Sequence, residues 1–155
     1  MAGETDIPEF AINRFTPFRL SVLSNRMTRA VAQVYMKRFR LSAPEWRTMA
    51  VLGLLGEMTA NAVVERTAMD KVRVSRAVAR MLRAGFIVRA AAKGDRRRLE
   101  LWLSREGSDV YQEIIPLALA VEADLLAALT AEERTTLDRL LSLLQARAEA
   151  VGGKA

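Results

Sequence analysis

Apolar positions recur with helical periodicity over most of the chain, and the period changes to two in one short stretch. Apolar residues three and four positions apart in six segments predict six helices. The segments cover approximately residues 17–39, 43–55, 60–67, 71–84, 105–129 and 131–150. Between the fourth and fifth segments, alternation over 86–91 and 99–103 predicts a β-hairpin. The expected fold class is mainly α (α+β), with six helices and one two-stranded hairpin.

Capping residues mark the ends of these helices. Thr16 followed by Pro17 is expected to open the first helix, and Ser42 with Glu45 has the capping-box spacing that opens the second. Gly85 is expected to end the fourth helix. Further N-caps are expected from Thr59, Asp70, Ser104 and Thr130.

The fourth predicted helix has an apolar face and a strongly basic face. Its apolar stripe consists of Val74, Ala77, Val78 and Met81. Its opposite side carries Arg73, Arg76, Arg80 and Arg83. No acidic residue lies among these arginines, and like charges four positions apart destabilise a helix slightly. This side is either an ordinary solvated face or a surface for an anionic partner. The repulsion between the arginines favours the second interpretation.

The predicted hairpin adds a second group of cations at its tip. Residues 93–98 contain Gly94 and Asp95, which favour a turn, and four basic residues. From Arg66 to Arg105, twelve Lys or Arg residues stand against three acidic residues, a net +9 in a chain whose total charge is +6. The rest of the chain therefore carries a net charge of −3. Positive charge concentrated in this way is typical of a surface that binds nucleic acid. A helix fits the DNA major groove, about 12 Å wide, and an arginine on the hairpin suits the adjacent minor groove.

The composition excludes several classes of site. The chain has no cysteine and no histidine, so thiolate and imidazole metal sites, disulfides and His-dependent catalytic triads are excluded. The remaining ionisable residues form no recognisable catalytic cluster, so neither enzyme activity nor a cofactor is expected. The sequence shows neither a signal-peptide pattern nor an apolar run long enough to span a bilayer, so a cytoplasmic location without a membrane partner is expected.

Three leucine-rich helices flank the basic segment. They either complete a monomer core or form a two-fold dimer interface, and we favour the dimer because they exceed what the basic segment needs for its own core. The expected organisation is a flexible arm at 1–15, dimerisation helices at 16–40 and 104–150, and a DNA-binding domain at 41–103. A dimer would place two basic helices about 34 Å apart, one turn of a duplex.

Five stretches of the sequence resemble the MarR family of bacterial transcription regulators. They are residues 41–47, 69–76, 82–87, 94–97 and 103–107. The resemblance implies a nucleoid-associated homodimer with a winged helix-turn-helix in each subunit. It also implies binding to a pseudo-palindromic operator on double-stranded DNA, as a repressor released by a small-molecule effector.

The resemblance also implies site residues. In the recognition helix the family's contacts correspond to Val72, Arg73, Ser75 and Arg76, and the basic stripe adds Arg80. Most relatives carry small hydroxyl residues where Val72 and Arg73 stand, which predicts a different operator preference. In the wing Asp95 would orient Arg97 for the minor groove, and the basic tip adds Lys93, Arg96 and Arg98.

An effector pocket lined by the first, second and fifth helices is implied as well. It would use Arg19, Trp46 and Met49, with Arg19 suited to an aromatic carboxylate or an acyl-CoA thioester. Trp46 belongs either to this pocket or to the core.

The alternative function is a basic helical module that binds RNA or acts as a non-specific architectural DNA-binding protein. Surfaces that bind RNA usually present aromatic side chains for base stacking, and the basic segment offers only Phe86 and Trp102. Binding to a membrane surface would need the apolar stripe of the fourth helix, which the hairpin is expected to cover.

Overall fold

The computed structural model describes residues 11–92 and 94–153, apart from the side chain of Arg96. The elements are α1 (Thr16–Phe39), α2 (Ala43–Leu55), α3 (Ala60–Thr67), α4 (Lys71–Arg83), β1 (Ile87–Ala92), β2 (Asp95–Leu103), α5 (Arg105–Leu125) and α6 (Ala131–Gly152). Short 3-10 turns occupy Ile12–Arg14 and Leu126–Ala128. The two strands form one antiparallel sheet. The predicted fold class, six helices and a two-stranded hairpin, is confirmed.

The fold divides at Ala118 into two compact units, and the boundary falls within α5. The first unit holds the hydrophobic core, where α2, α3 and α4 pack on one another. Its most buried side chains include Met49, Val63, Val74 and Met81, each at most 1% exposed. The second unit contains the end of α5 and all of α6, and every described residue in it is at least partly exposed.

The predicted caps hold the helix ends in place. The side chains of Thr59, Asp70 and Thr130 each accept a backbone N–H from the first turn of the following helix. At the start of α2, the Glu45 carboxylate accepts the backbone N–H of Ser42 at 2.6 Å. These bonds satisfy amides that have no partner inside the helix, so the local sequence determines where each helix begins.

The hairpin is attached to the helices through the middle of β2. Leu101 exchanges two backbone hydrogen bonds with Met58, in the loop between α2 and α3, at 2.8 and 3.0 Å. The Leu101 side chain is 1% exposed and belongs to the core cluster of the first unit. The hairpin therefore has a defined position relative to α3 and α4.

Ser104, at the junction between β2 and α5, caps α5 as predicted. Its Oγ accepts the backbone N–H of Gly107 at 3.0 Å and donates to the carbonyl oxygen of Gly85 at 2.5 Å. Gly107 is required by close packing, because a Cβ at this position would lie 1.9 Å from the carbonyl oxygen of Phe86. One hydroxyl thus joins the end of α4 to the start of α5.

The hairpin turn is tighter than the sequence predicts. The predicted tip spanned residues 93–98, but β2 already begins at Asp95, which pairs with Ala92. Gly94 has φ +92°, in the left-handed region that permits a short turn. The register then shifts before the pair that includes Leu99, so the arginines between Asp95 and Leu99 lie in an irregular part of the strand.

Two further element ends differ from the predictions. α1 begins at Thr16 with Phe15 as its N-cap, so Pro17 is the second helical residue rather than the first. Proline is tolerated there because amides of the first turn have no intrahelical partner. α5 ends at Leu125 and not near Leu129, because Leu126–Ala128 form a 3-10 turn and Leu129 and Thr130 are extended before α6 begins.

The termini are only partly described. The predicted flexible arm at 1–15 contains the 3-10 turn Ile12–Arg14, and residues 1–10 lie outside the described residues. At the other end α6 continues to Gly152, so the chain remains helical past Val151. Residues 154–155 again lie outside the described residues.

Neither a single membrane-spanning helix nor a metal-binding cluster occurs among the described residues. None of their helices is by itself long and apolar enough to cross a bilayer, and one bent pair, Arg105–Ala128 with Ala131–Gly152, meets the length and composition requirements only when taken together. No three acidic side chains of this part of the chain are grouped to hold a metal ion.

Ala68, in the turn between α3 and α4, has φ +52°. This left-handed conformation brings Cβ close to the following carbonyl oxygen and costs about 1–2 kcal/mol for a residue other than glycine. Glycine adopts the same conformation without that cost. The turn that sets the angle between α3 and α4 therefore stores strain.

We expect Ala68→Gly to raise the free energy of unfolding by about 1 kcal/mol, because the relief of this strain exceeds the added backbone entropy of glycine. Urea denaturation followed by circular dichroism measures the change. The matched control is Ala79→Gly at an exposed position inside α4, which should lower stability by about 1 kcal/mol. A loss of stability in Ala68→Gly would contradict the strain at this turn.

Candidate nucleic-acid interface

α4 buries one face and exposes the other, as its periodicity predicts. The buried stripe consists of Val74, Ala77, Val78 and Met81, each at most 7% exposed. The predicted contact residues all lie exposed on the remaining surface of the helix: Val72, Arg73, Ser75, Arg76 and Arg80. Packing of the stripe against α2 and α3 therefore turns these side chains outward.

One flank of α4 is basic. Arg73, Arg76 and Arg80 line a cavity of about 240 Å³ together with Ser42 and Pro44 at the start of α2. The sequence marked Ser42 as a helix cap and placed both residues in a stretch that resembles the MarR family, but it put neither beside the arginines. Their place beside the arginines depends on how α2 packs on α4, which the periodicity of either helix does not reveal.

The three arginines differ in their partners. Arg73 Nε lies 3.2 Å from Asp70 Oδ2, in an ion pair whose side chains are 70% and 58% exposed. Such an exposed pair adds little stability. Within the described part of the chain, Arg76 and Arg80 have no ion-pair partner. Their positive charge is available to an anion outside the protein.

The other flank of α4 is lined by small and apolar side chains. Ser75 and Ala79 border a groove of about 580 Å³ between α3 and α4, with Asn61 and Val64 on the α3 side. The same groove is lined by the cations Lys71, Arg83 and Arg89. The two flanks of α4 thus differ in size and polarity, and an elongated anion lying along α4 would meet cations on both.

Asp95 organises the backbone of the hairpin. Its Oδ1 accepts the backbone N–H of Arg97 at 2.9 Å, and no ion pair joins the two side chains among the described residues. Arg98 Nη2 instead lies 3.1 Å from Glu100 Oε1, while Arg97 is exposed. Asp95 therefore positions Arg97 through the main chain rather than through its guanidinium group. Two other predicted contacts, Lys93 and the side chain of Arg96, lie outside the described residues.

The three residues predicted for an effector pocket do not line one cavity. Arg19 borders a groove of about 720 Å³ formed by the start of α1 and the turn before it. Trp46 lines a different cavity of about 230 Å³ between α1 and α2. Met49 is fully buried in the core. The separation is geometric, because Trp46 meets α1 at Tyr35, about 24 Å along the helix axis from Arg19.

The cavity beside Trp46 contains a buried phenol without a hydrogen-bond partner. The Trp46 ring stacks on Tyr35 and Tyr111, with ring centroids 5.5 and 6.3 Å apart. Tyr35 is 0% exposed, and its hydroxyl makes no hydrogen bond to any described residue. Burial raises the pKa of Tyr35, and the positive charge of Arg47 opposes part of that rise. The sequence indicated Trp46 but not Tyr35 or Arg47, because their meeting depends on how α1 packs on α2.

Comparison with known proteins identifies the arrangement of these elements. Residues 41–98, from the end of α1 to the hairpin, match the model of the MarR family. The transcriptional regulator HosA of Escherichia coli is 29% identical over 94 residues, which cover 61% of this chain and 70% of HosA.

This part of the chain is similar to the MarR family of transcriptional regulators. Solved structures of regulators share its fold. BpsR of Bordetella bronchiseptica, whose DNA binding is regulated by 6-hydroxynicotinic acid, has a TM-score of 0.78 at 20% identity, covering 89% of this chain and 98% of that chain. A mutant of Escherichia coli MarR in complex with operator DNA has a TM-score of 0.76 at 18% identity, covering 87% and 98%.

The elements of this fold correspond to those of the MarR winged-helix structures. α3 and α4 form the helix-turn-helix, α4 is its recognition helix, and the β1–β2 hairpin is the wing. The basic flank of α4 and the exposed Arg97 therefore lie on the two elements with which a winged helix-turn-helix meets DNA.

Proposed function

We propose that this protein is a MarR-family regulator that binds a pseudo-palindromic operator on double-stranded DNA and acts as a repressor. The observation that carries the proposal is the exposed arginine flank of α4, whose cations Arg76 and Arg80 have no internal ion-pair partner in the described part of the chain. The recognition helix has 13 residues and is about 20 Å long, which suits a major groove about 12 Å wide.

The proposed contacts divide between bases and backbone. Arg76, on the outward side of α4, contacts a base edge, since arginine pairs bidentately with guanine. Arg73 and Arg80, which line the α2-side cavity together with Arg76, neutralise phosphates. Arg97, positioned by Asp95 through its backbone, enters the minor groove beside the recognition helix.

The relatives support a regulator. HosA is named as a transcriptional regulator, which argues against an enzyme. The MarR structure with a similar fold holds operator DNA, and BpsR links DNA binding to a small aromatic acid. These properties are those of the relatives. The exposed cations of α4 are the reason to propose DNA binding for this chain as well.

We also propose that the active form is a homodimer. In the first unit, the start of α1 exposes Phe18, Leu20 and Leu23, which are 39–52% exposed. In the second unit, α6 exposes a run of leucines that are 44–57% exposed: Leu140, Leu141, Leu143 and Leu144. Apolar side chains exposed in such numbers are typical of an interface, and a two-fold dimer would present two recognition helices to an inverted repeat.

The effector site is proposed to be the cavity beside Trp46. The Tyr35 hydroxyl needs an acceptor, Arg47 supplies positive charge and the Trp46 ring offers an aromatic face. These groups suit a small aromatic carboxylate, and a volume of about 230 Å³ favours a single-ring acid over the far larger acyl-CoA thioester. A ligand here would contact both α1 and α2. Because α2 packs on α4, the ligand can bias the position of the recognition helix.

Selection of duplexes from a randomised pool by the purified protein, at about 0.15 M salt, tests the proposed function. We expect recovery of one inverted repeat with half-sites separated by about one helical turn, bound by two chains as measured by light scattering. Uniform recovery of all duplexes would contradict sequence-specific regulation and favour an architectural role. Stronger retention of a parallel RNA pool would favour the RNA-binding alternative.

Two arginine substitutions are expected to have different effects on operator binding. Arg76→Ala should weaken binding to the selected operator by about 1–3 kcal/mol and random duplex much less, because it removes a base contact. Arg97→Ala should lower the slope of log K against log salt by about 0.9 for each phosphate that is no longer neutralised. Titrations monitored by fluorescence anisotropy measure both. Equal reductions in affinity for both duplexes in Arg76→Ala would make Arg76 a phosphate-binding residue.

Tyr35→Phe is expected to raise the free energy of unfolding by about 1 kcal/mol, because it removes a buried hydroxyl without a partner. The same change should abolish the increase in melting temperature produced by benzoate or salicylate. Thermal denaturation with and without these acids measures both effects. The control Tyr111→Phe, which alters a half-buried hydroxyl of the same aromatic stack, should keep the response. A benzoate response that survives in Tyr35→Phe would place the effector elsewhere.

A further inference from the structure

We propose that Val72 recognises the C5-methyl group of a thymine in the operator, about two base pairs from the base contacted by Arg76. This inference rests on the DNA-binding function proposed above and specifies which base feature the recognition helix selects. It is carried by the exposure of Val72, by its spacing from Arg76 and by the cations on either side of it.

Val72 is the one large apolar residue of α4 that is exposed, and all residues of α4 are described. It is 57% exposed, whereas Val74, Val78 and Met81 are at most 7% exposed. Val72 lines neither the cavity on the α2 side nor the groove on the α3 side. Most of Val72 is therefore exposed to solvent, and a β-branched residue at this position also lowers helix propensity.

The outward ridge of α4 is defined by helical spacing. Residues 72, 76, 79 and 83 are separated by four, three and four positions, so they share one face of the helix. Val72 and Arg76 are one turn apart, about 6 Å along the axis. Successive base pairs are about 3.4 Å apart along each strand. An α4 lying along the major groove would present an apolar side chain and a guanidinium group about two base pairs apart.

Cations stand on both sides of Val72. Lys71 lines the groove on the α3 side, and Arg73 lines the cavity on the α2 side. Contacts from these two residues to phosphates on the two walls of the major groove would hold the start of α4 against the base edges. Val72 would then be pressed onto the floor of the groove rather than left in water.

The chemistry of the side chain selects one base. Thymine alone among the four bases presents a methyl group in the major groove, and apolar side chains recognise it. Valine has no hydrogen-bonding group, so an adenine or cytosine amino group facing Val72 would lose its hydrogen bond to water. Val72 thus favours thymine and opposes bases that carry an amino group at the same place.

Replacement of thymine by deoxyuridine tests this inference, because deoxyuridine lacks only the C5-methyl group. Operators selected from the randomised pool are resynthesised with each thymine replaced in turn, and Kd is measured by anisotropy. We expect one position in each half-site at which the replacement raises Kd about fourfold, which corresponds to the ~0.8 kcal/mol of one buried methyl group.

The Val72→Ala variant, measured on the thymine and deoxyuridine duplexes, completes a double-mutant cycle. It should bind the thymine operator more weakly and bind the thymine and deoxyuridine duplexes about equally, while far-UV circular dichroism shows an unchanged fold. The matched control Leu54→Ala removes an apolar side chain that is 75% exposed on α2 and should keep the full preference for thymine. Arg76→Ala should lose affinity and also keep that preference.

The outcomes separate this inference from the proposed function. If the protein selects a discrete operator but no thymine depends on its methyl group, the assignment to Val72 is wrong and the function stands. A methyl preference that persists in Val72→Ala assigns the contact to another residue and overturns the inference equally. If no discrete operator is recovered, both the function and the inference fail.

Discussion

Burial of one stripe of α4 determines the orientation of every group that α4 brings to the proposed interface. Val74, Val78 and Met81 leave water against α2 and α3, and burying a large apolar side chain stabilises a fold by about 1.5–3 kcal/mol. Because the helical period is constant, this burial also decides where the arginines lie. The exposed ion pair between Asp70 and Arg73 is too weak to do so. The basic surface is therefore a consequence of the core.

The wing depends on the same core through a different element. Leu101 places one buried side chain among the helices and two backbone hydrogen bonds on Met58, so the base of the hairpin cannot shift without loss of packing. Ser104 adds a link between Gly85, just after the end of α4, and the first turn of α5. α4 and the hairpin are thus held by contacts that lie away from the proposed DNA-binding surface. Substitutions on that surface can change specificity while the fold persists.

Local features of this fold were predictable from the sequence, and features that join distant segments were not. Caps such as Thr59 and Asp70 act within one helical turn, so a few residues suffice to recognise them. The meeting of Tyr35 with Trp46 depends on how α1 packs on α2, which periodicity leaves open. The role of Asp95 was not predictable in detail because its partner is a main-chain amide. The arginine stripe was predictable since spacing alone places its members on one face.

The left-handed backbone at Ala68 bears on how this protein can evolve. Alanine and glycine codons differ by a single base, so a stabilising replacement is always one mutation away. Most substitutions that create a new base contact lower stability, and natural proteins lie only slightly above the stability they need. Replacement of Ala68 by glycine, next to α4, would therefore offset part of the stability that is lost when substitutions in α4 change its proposed target sequence.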